Sequence, residues 1–141
     1  MSELRLLTFP EIVVHWTKIR PLLSSAIAKG RGEIEVDDVL DLAGQGRMSI
    51  SVVWRDGSIA LSIAAEVIHY PRRKVLNLAF AGGKDAKFVS DRFDEYLGEM
   101  ARSLGADAVQ CYCAPAVARL LKKMQPSAEE AYIVLERKVA A

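Results

Sequence analysis

An α/β chain, more narrowly α+β, with a single mixed, mostly antiparallel sheet flanked by helices, is the architecture this sequence predicts. Three observations lead there. Apolar residues repeat at helical spacing near the N-terminus and again over 86–104, apolar strand-like runs lie between them, and glycine or proline punctuates the junctions. At 141 residues, 51% hydrophobic and 26% charged, the chain has the length and composition of one globular domain spanning 1–141.

Thr8 to Glu11 has the form of a capping box, with a hydroxyl at the N-cap and a carboxylate three residues on. Ile12, Trp16, Ile19, Leu23 and Ile27 then make one apolar stripe. Pro21 falls inside that stripe and predicts a kinked or split helix, and Gly30 predicts its stop. A short acidic helix follows over Val36 to Ala43, closed by Gly44 and Gly46. From Met48 the period changes to alternation, so Met48 to Arg55 reads as a strand. Asp56-Gly57 is a two-residue hairpin signal, and Ile59 to His69 is the returning strand. Tyr70 to Arg73 turns the chain into Lys74 to Ala81, whose nearly continuous apolar character predicts a central strand. A helix over Ala86 to Leu104, stopped by Gly105, carries the chain to a strand over Ala108 to Cys113. Pro115 opens a short helix through Met124, and Tyr132 to Val139 reads as the last strand. The predicted order is α-α-β-β-β-α-β-α-β, and the helical crossover makes the fourth strand parallel to the third.

Composition removes several functions. A net charge of +1, with only short basic clusters at Arg72 to Lys74 and Lys122-Lys123, argues against nucleic acid as a partner. Lys18, Arg20 and Pro21 interrupt the richest N-terminal apolar segment, so no membrane span is expected. The first residues do not resemble a secretory leader, and a cytoplasmic setting is the expectation. Cys111 and Cys113 sit two apart on a strand, a spacing that seldom closes a disulfide. With no second cysteine pair and with His15 and His69 distant in sequence, they read as buried, reduced core residues, and no metal is expected.

Gly82-Gly83-Lys84-Asp85-Ala86-Lys87 joins the third strand to the long helix. A glycine turn at a helix N-terminus can present free N–H groups to an anion, and it is equally an ordinary strand-to-helix connection. Both readings stand at this point.

That element order, with a glycine turn opening the crossover helix, resembles the GNAT superfamily of acyl-CoA N-acyltransferases from Thr8 to Val139. Cys113 to Met124 and Tyr132 to Glu136 are similar to the family's helix after the split strand and its final strand. The N-terminal helix pair resembles small GNAT-like proteins of phages and prophages. The resemblance implies acetyl-CoA or another acyl-CoA as cofactor and an amine as acceptor. Leu78, Ala79 and Phe80 would line the pantetheine, and Gly82, Gly83, Lys84 and Lys87 would hold the pyrophosphate. The candidates for acid/base work are Glu66 on the second strand, His69 at its end and Tyr112 beside the splay point, with Glu66 and Tyr112 the catalytic choice.

The departures are specific. The family's thiolate-protonating tyrosine position falls on Leu121, the third strand carries no carboxylate, and the glycine turn does not match the family's phosphate motif. They imply an alternative: a non-catalytic GNAT-like structural or accessory protein of a phage or prophage, with a phage protein as partner and the virion as location. The final strand, or the exposed hairpin, leaves a homodimer open.

Overall fold

The computed structural model describes residues 3–84, 86–125 and 127–139, and for 86–91 the main chain alone. In chain order the elements are β1 (Glu3–Leu6), α1 (Phe9–Ile27), α2 (Val36–Gly44), β2 (Ser49–Arg55), β3 (Ser58–His69), β4 (Lys74–Gly83), α3 (Ala86–Ser103), β5 (Ala108–Gln110) and α4 (Pro115–Met124). The five strands form one sheet in the order β1-β2-β3-β4-β5. Among the described residues only the β4–β5 pair is parallel. The mixed, mostly antiparallel sheet flanked by helices is therefore as expected.

Helix α1 begins where the sequence places it. The Glu11 N–H donates to Thr8 Oγ1 at 3.4 Å, and the Thr8 N–H donates to Glu11 Oε1 at 3.0 Å. Arg5 reaches the same carboxylate. Pro21 neither splits the helix nor ends it, and α1 runs unbroken to Ile27, three residues short of Gly30. Ile19, Leu22 and Leu23 flank Pro21 and are buried against the sheet, and that packing holds the helix across the missing main-chain bond. In α2 the Glu35 N–H donates to Asp38 Oδ2 at 2.8 Å, and Val39 and Ala43 face inward.

The hairpin between β2 and β3 turns on Asp56 (φ 52°) and Gly57 (φ 80°), both in the left-handed region that a tight two-residue turn requires. The sheet then carries a core on each face. Ile12, Ile19, Leu23, Val39, Ile50 and Val52 fill the α1–α2 side. Val53, Leu61, Ile63, Leu76, Tyr96 and Met100 fill the α3 side.

Besides Pro21, four features differ from the sequence reading. Glu3–Leu6 adds an edge strand, antiparallel to β2, that four largely exposed residues do not announce. β4 continues past Ala81 through Gly83, still paired to β3, and Gly82 is needed there because a Cβ on it would lie 1.8 Å from the Leu22 carbonyl oxygen of α1. β5 stops at Gln110 rather than Cys113, so Cys111 is half-buried and Cys113 exposed, not two core residues. Tyr132 to Val139 forms no strand among the described residues and is exposed, since an apolar run makes a strand only where another strand accepts its main chain. Among the described residues no helix is long and apolar enough to cross a membrane.

Candidate functional site: an open seam between β4 and β5

β4 and β5 part company early. They pair at Val75–Ala108, Leu76–Val109 and Asn77–Gln110, and there β5 ends. β4 runs on for six more residues, paired to β3 alone among the described residues. At the parting point the β3–β4 register skips Ala79: Ala65 faces Leu78 and Ala64 faces Phe80. Such an extra residue is a β-bulge, which bends its strand and strengthens the local twist. Burial changes at the same place. Residues 75–78 are buried, 79–82 are half-buried and Gly83 is exposed.

The ladder also decides which main-chain groups look into the seam. The Lys84 N–H donates to Ala60 O at 3.0 Å, so this pair is of the hydrogen-bonded kind. In antiparallel alternation Ser62–Gly82 is then hydrogen-bonded as well, while Ile63–Ala81 and Leu61–Gly83 are not. Ala81 and Gly83 therefore turn their N–H and C=O groups away from β3, toward the edge that β5 has vacated. Gly82 directs its own inward and lies under α1.

A polar row crosses the sheet at the vertex. Glu66, Asn77 and Gln110 are register partners on β3, β4 and β5, so their side chains share a face. Leu76, Leu78, Ala65 and Val109 belong to the α3-side core, which places the row on the α1–α2 side. The Asn77 Nδ2 group donates to Glu66 Oε1 at 3.1 Å. Asn77 Oδ1 is buried with no partner, an acceptor free for an incoming N–H or O–H. Gln110 Nε2 lies 3.4 Å from the Tyr112 hydroxyl, and Tyr112 is largely exposed just beyond the end of β5. Glu66 also borders a cleft of about 430 Å³ with His69, Arg47, Ser49 and Leu104.

Glu66 stands at one end of the row and Tyr112 meets its other end through Gln110, and Ala79 and Phe80 follow on β4, whereas Leu78 is buried on the opposite, α3-side face. Gly82, Gly83 and Lys84 follow along the same strand, but Lys84 has its main-chain N–H committed to Ala60. Asp85 and the side chain of Lys87 lie outside the described residues. Asn77, Gln110 and Ala81 escaped the sequence reading. An asparagine within an apolar run was the available signal for the first, whereas the other two depend on register alone.

Cys111 is no nucleophile here. Burial first, and Cys113 beside it, push its thiol up to about 12, so it stays protonated. Among the described residues no group of three or more His, Cys, Asp and Glu is placed to hold a metal.

Solved structures share the fold. An aminoglycoside acetyltransferase from an uncultured soil metagenomic sample, in complex with sisomicin, superposes with a TM-score of 0.72 at 9% identity, covering 99% of this chain and 97% of that one. The aminoglycoside N-acetyltransferase AAC(6')-Iy, in complex with a bisubstrate analogue of CoA, gives 0.72 at 12% identity with 99% of each chain covered. Ribosomal-protein-alanine N-acetyltransferase from Brucella melitensis biovar Abortus 2308 gives 0.71 at 13%, over 99% of this chain and 100% of that one. The fold is that of the GNAT acyltransferases. No protein-family model and no curated protein matches the sequence, so the likeness lies in the backbone.

Proposed function

We propose that the chain binds an acyl-CoA in the β4–β5 seam and transfers its acyl group to an amine. One observation carries the reading: β4 leaves its partner at Asn77, bulges at Ala79 and presents the outward main-chain groups of Ala81 and Gly83 along a half-buried edge. An amide-bearing arm fits such an edge as an added strand would. The fit is to the arm of the cofactor. Anchorage of its phosphates would rest on the exposed Lys84 and the start of α3 rather than on Gly82.

Acetyl-CoA, when bound, supplies an activated thioester carbonyl. The chain's own groups would do the rest. Glu66, oriented by the Asn77 amide, takes the proton from the attacking amine. Asn77 Oδ1, otherwise unpartnered, accepts a hydrogen bond from cofactor or acceptor. Tyr112, beside Gln110, delivers a proton to the leaving thiolate from the β5 side. The likeness to aminoglycoside and protein-alanine acetyltransferases supports an amine acceptor as a class and names no particular amine.

A second reading, a GNAT-like accessory protein without catalysis, is favoured by Leu121. It occupies the family's tyrosine position and packs half-buried against the α3-side core, so it offers no proton. Calorimetric titration with acetyl-CoA, followed by assay of Glu66→Gln, separates the two. Saturating acetyl-CoA at 100 times its Kd should stabilise the protein by ~2.7 kcal/mol. The Glu66→Gln variant should keep that binding and lose about 100-fold or more in kcat. No heat and no Tm shift at millimolar acetyl-CoA would remove the cofactor reading. Binding without turnover of any amine would favour the accessory role.

A further inference from the structure

We infer that the end of β3 at Val67 and His69 is a docking edge for an acidic, extended peptide, which adds to the sheet as a strand in line with β2. The inference does not depend on the cofactor reading, since this edge lies on the side of β3 away from β4 and its seam.

β3 outlasts one of its two neighbours. β2 pairs with it as far as Ser49–Ala65 and stops, whereas β4 follows it to His69. The Tyr70 N–H donates to Arg73 O at 2.9 Å, and the Lys84 N–H donates to Ala60 O at the other end of the same ladder. Even-numbered residues of β3 therefore face β4 on both sides of the bulge, and odd-numbered ones face β2. Val67 and His69 thus turn their N–H and C=O groups toward a place that β2 does not reach. Among the described residues no main-chain hydrogen bond meets them there.

The end of α2 keeps that place clear. Arg47 would be the next residue opposite Val67, but its N–H donates to Leu42 O at 2.9 Å. Gly46 (φ 72°) supplies the left-handed turn that brings it there, so the helix claims the residue that would otherwise prolong β2.

A cleft of about 430 Å³ opens beside the edge. Val67 and Leu104 are half-buried against the α3-side core and give the cleft an apolar wall. Register partners share a face, so a peptide residue opposite Val67 would lay its side chain on that wall. Main-chain bonds for affinity and a pocket for alternate side chains are what strand addition to a sheet edge requires.

The surroundings select the peptide's charge. Arg47 lines the cleft with His69, and Arg72 and Arg73 follow in the turn that closes β3 on β4. None of these three arginines has an ion-pair partner among the described residues. Of the nearby carboxylates, Glu66 accepts from the Asn77 amide and Asp107 accepts from the Lys74 N–H. A second copy would bring the same basic residues against these, and like charges set opposite one another oppose pairing. Carboxylates on the incoming strand complement them.

Fluorescence anisotropy of the full chain with a labelled peptide Asp-Glu-Val-Thr-Val-Asp-Glu should show saturable binding. Replacing the peptide's acidic residues by lysine should weaken it by about 10-fold or more, and Arg47→Glu should do the same. Val67→Pro removes one outward N–H and no bond of the ladder to β4, and should weaken binding by about 10-fold. Hydrogen exchange followed by NMR should find the Val67 and His69 amides fast in the free chain and protected by the peptide. That reading and Arg47→Glu stand even if Val67→Pro does not fold. No saturable binding at millimolar peptide, or equal affinity for the lysine peptide, would overturn the inference. Insensitivity to Arg47→Glu, or amides already protected in the free chain by a second copy, would overturn it as well.

Discussion

The two parts of this chain are built differently. Among the described residues every fully buried hydrophobic side chain lies between Leu7 and Ala101, and none lies beyond. The first part closes its sheet with helices on both faces. The second contributes three residues of strand, an amphipathic helix with no buried residue and an exposed apolar tail. The candidate site straddles the boundary. Its β4 edge is backed by two cores and by α1 pressed on Gly82, while its β5 side ends after one pairing row beyond Val109. A rigid edge suits the placing of a ligand's arm. The lightly packed side carries Tyr112.

That contrast makes graded predictions for stability. The largest effect is expected at Gly82→Ala, where a methyl group meets the Leu22 carbonyl rather than a flexible side chain. It should cost about 3 kcal/mol, read as a Tm loss of about 12 °C by calorimetry. An unchanged Tm would mean that α1 does not bear on β4 as described.

An intermediate effect belongs to the helix cap, still within the first part. Thr8→Ala removes the hydroxyl that accepts from the Glu11 N–H and should cost ~1 kcal/mol in urea melts. The cap is also pH-dependent. The main-chain hydrogen bond from Thr8 holds the Glu11 carboxyl below its usual value. A carboxyl depressed by folding contributes stability above its unfolded value of 4.5, lost as pH falls through the lowered folded value. Glu11→Gln, which removes the titrating carboxyl, should therefore show a weaker decline in stability over that acid range than the wild type.

The smallest effect is expected in the second part. Leu120→Ala on α4 should shift monomer stability by under ~0.5 kcal/mol, since its side chain is already 55% exposed. A loss comparable to that of Gly82→Ala would show that the C-terminal region is packed as firmly as the sheet.

Much of the first part was legible before any coordinates. The Thr8–Glu11 cap, the Asp56-Gly57 hairpin and the helix start at Ala86 are local devices, each specified by neighbours a few residues away. Pro21 misleads for the opposite reason. Its intrinsic tendency to break a helix is overridden by Ile19, Leu22 and Leu23 packing against strands far off in sequence. Gly82 looks like a turn residue and serves a close approach, since the residue on the other side of the contact is sixty positions away. Glu66 and Tyr112 could be picked out by chemistry, but Asn77 and Gln110, which link them, are defined only by pairing.

Period and punctuation alone sufficed for which segments become helix or strand and for how most of them begin, because those preferences act over one or two turns of chain. Where strands separate, which amides face the gap and whether the last apolar run finds a partner were settled by the packed fold. Each of those depends on register, and register is set by contacts between residues that no local stretch contains.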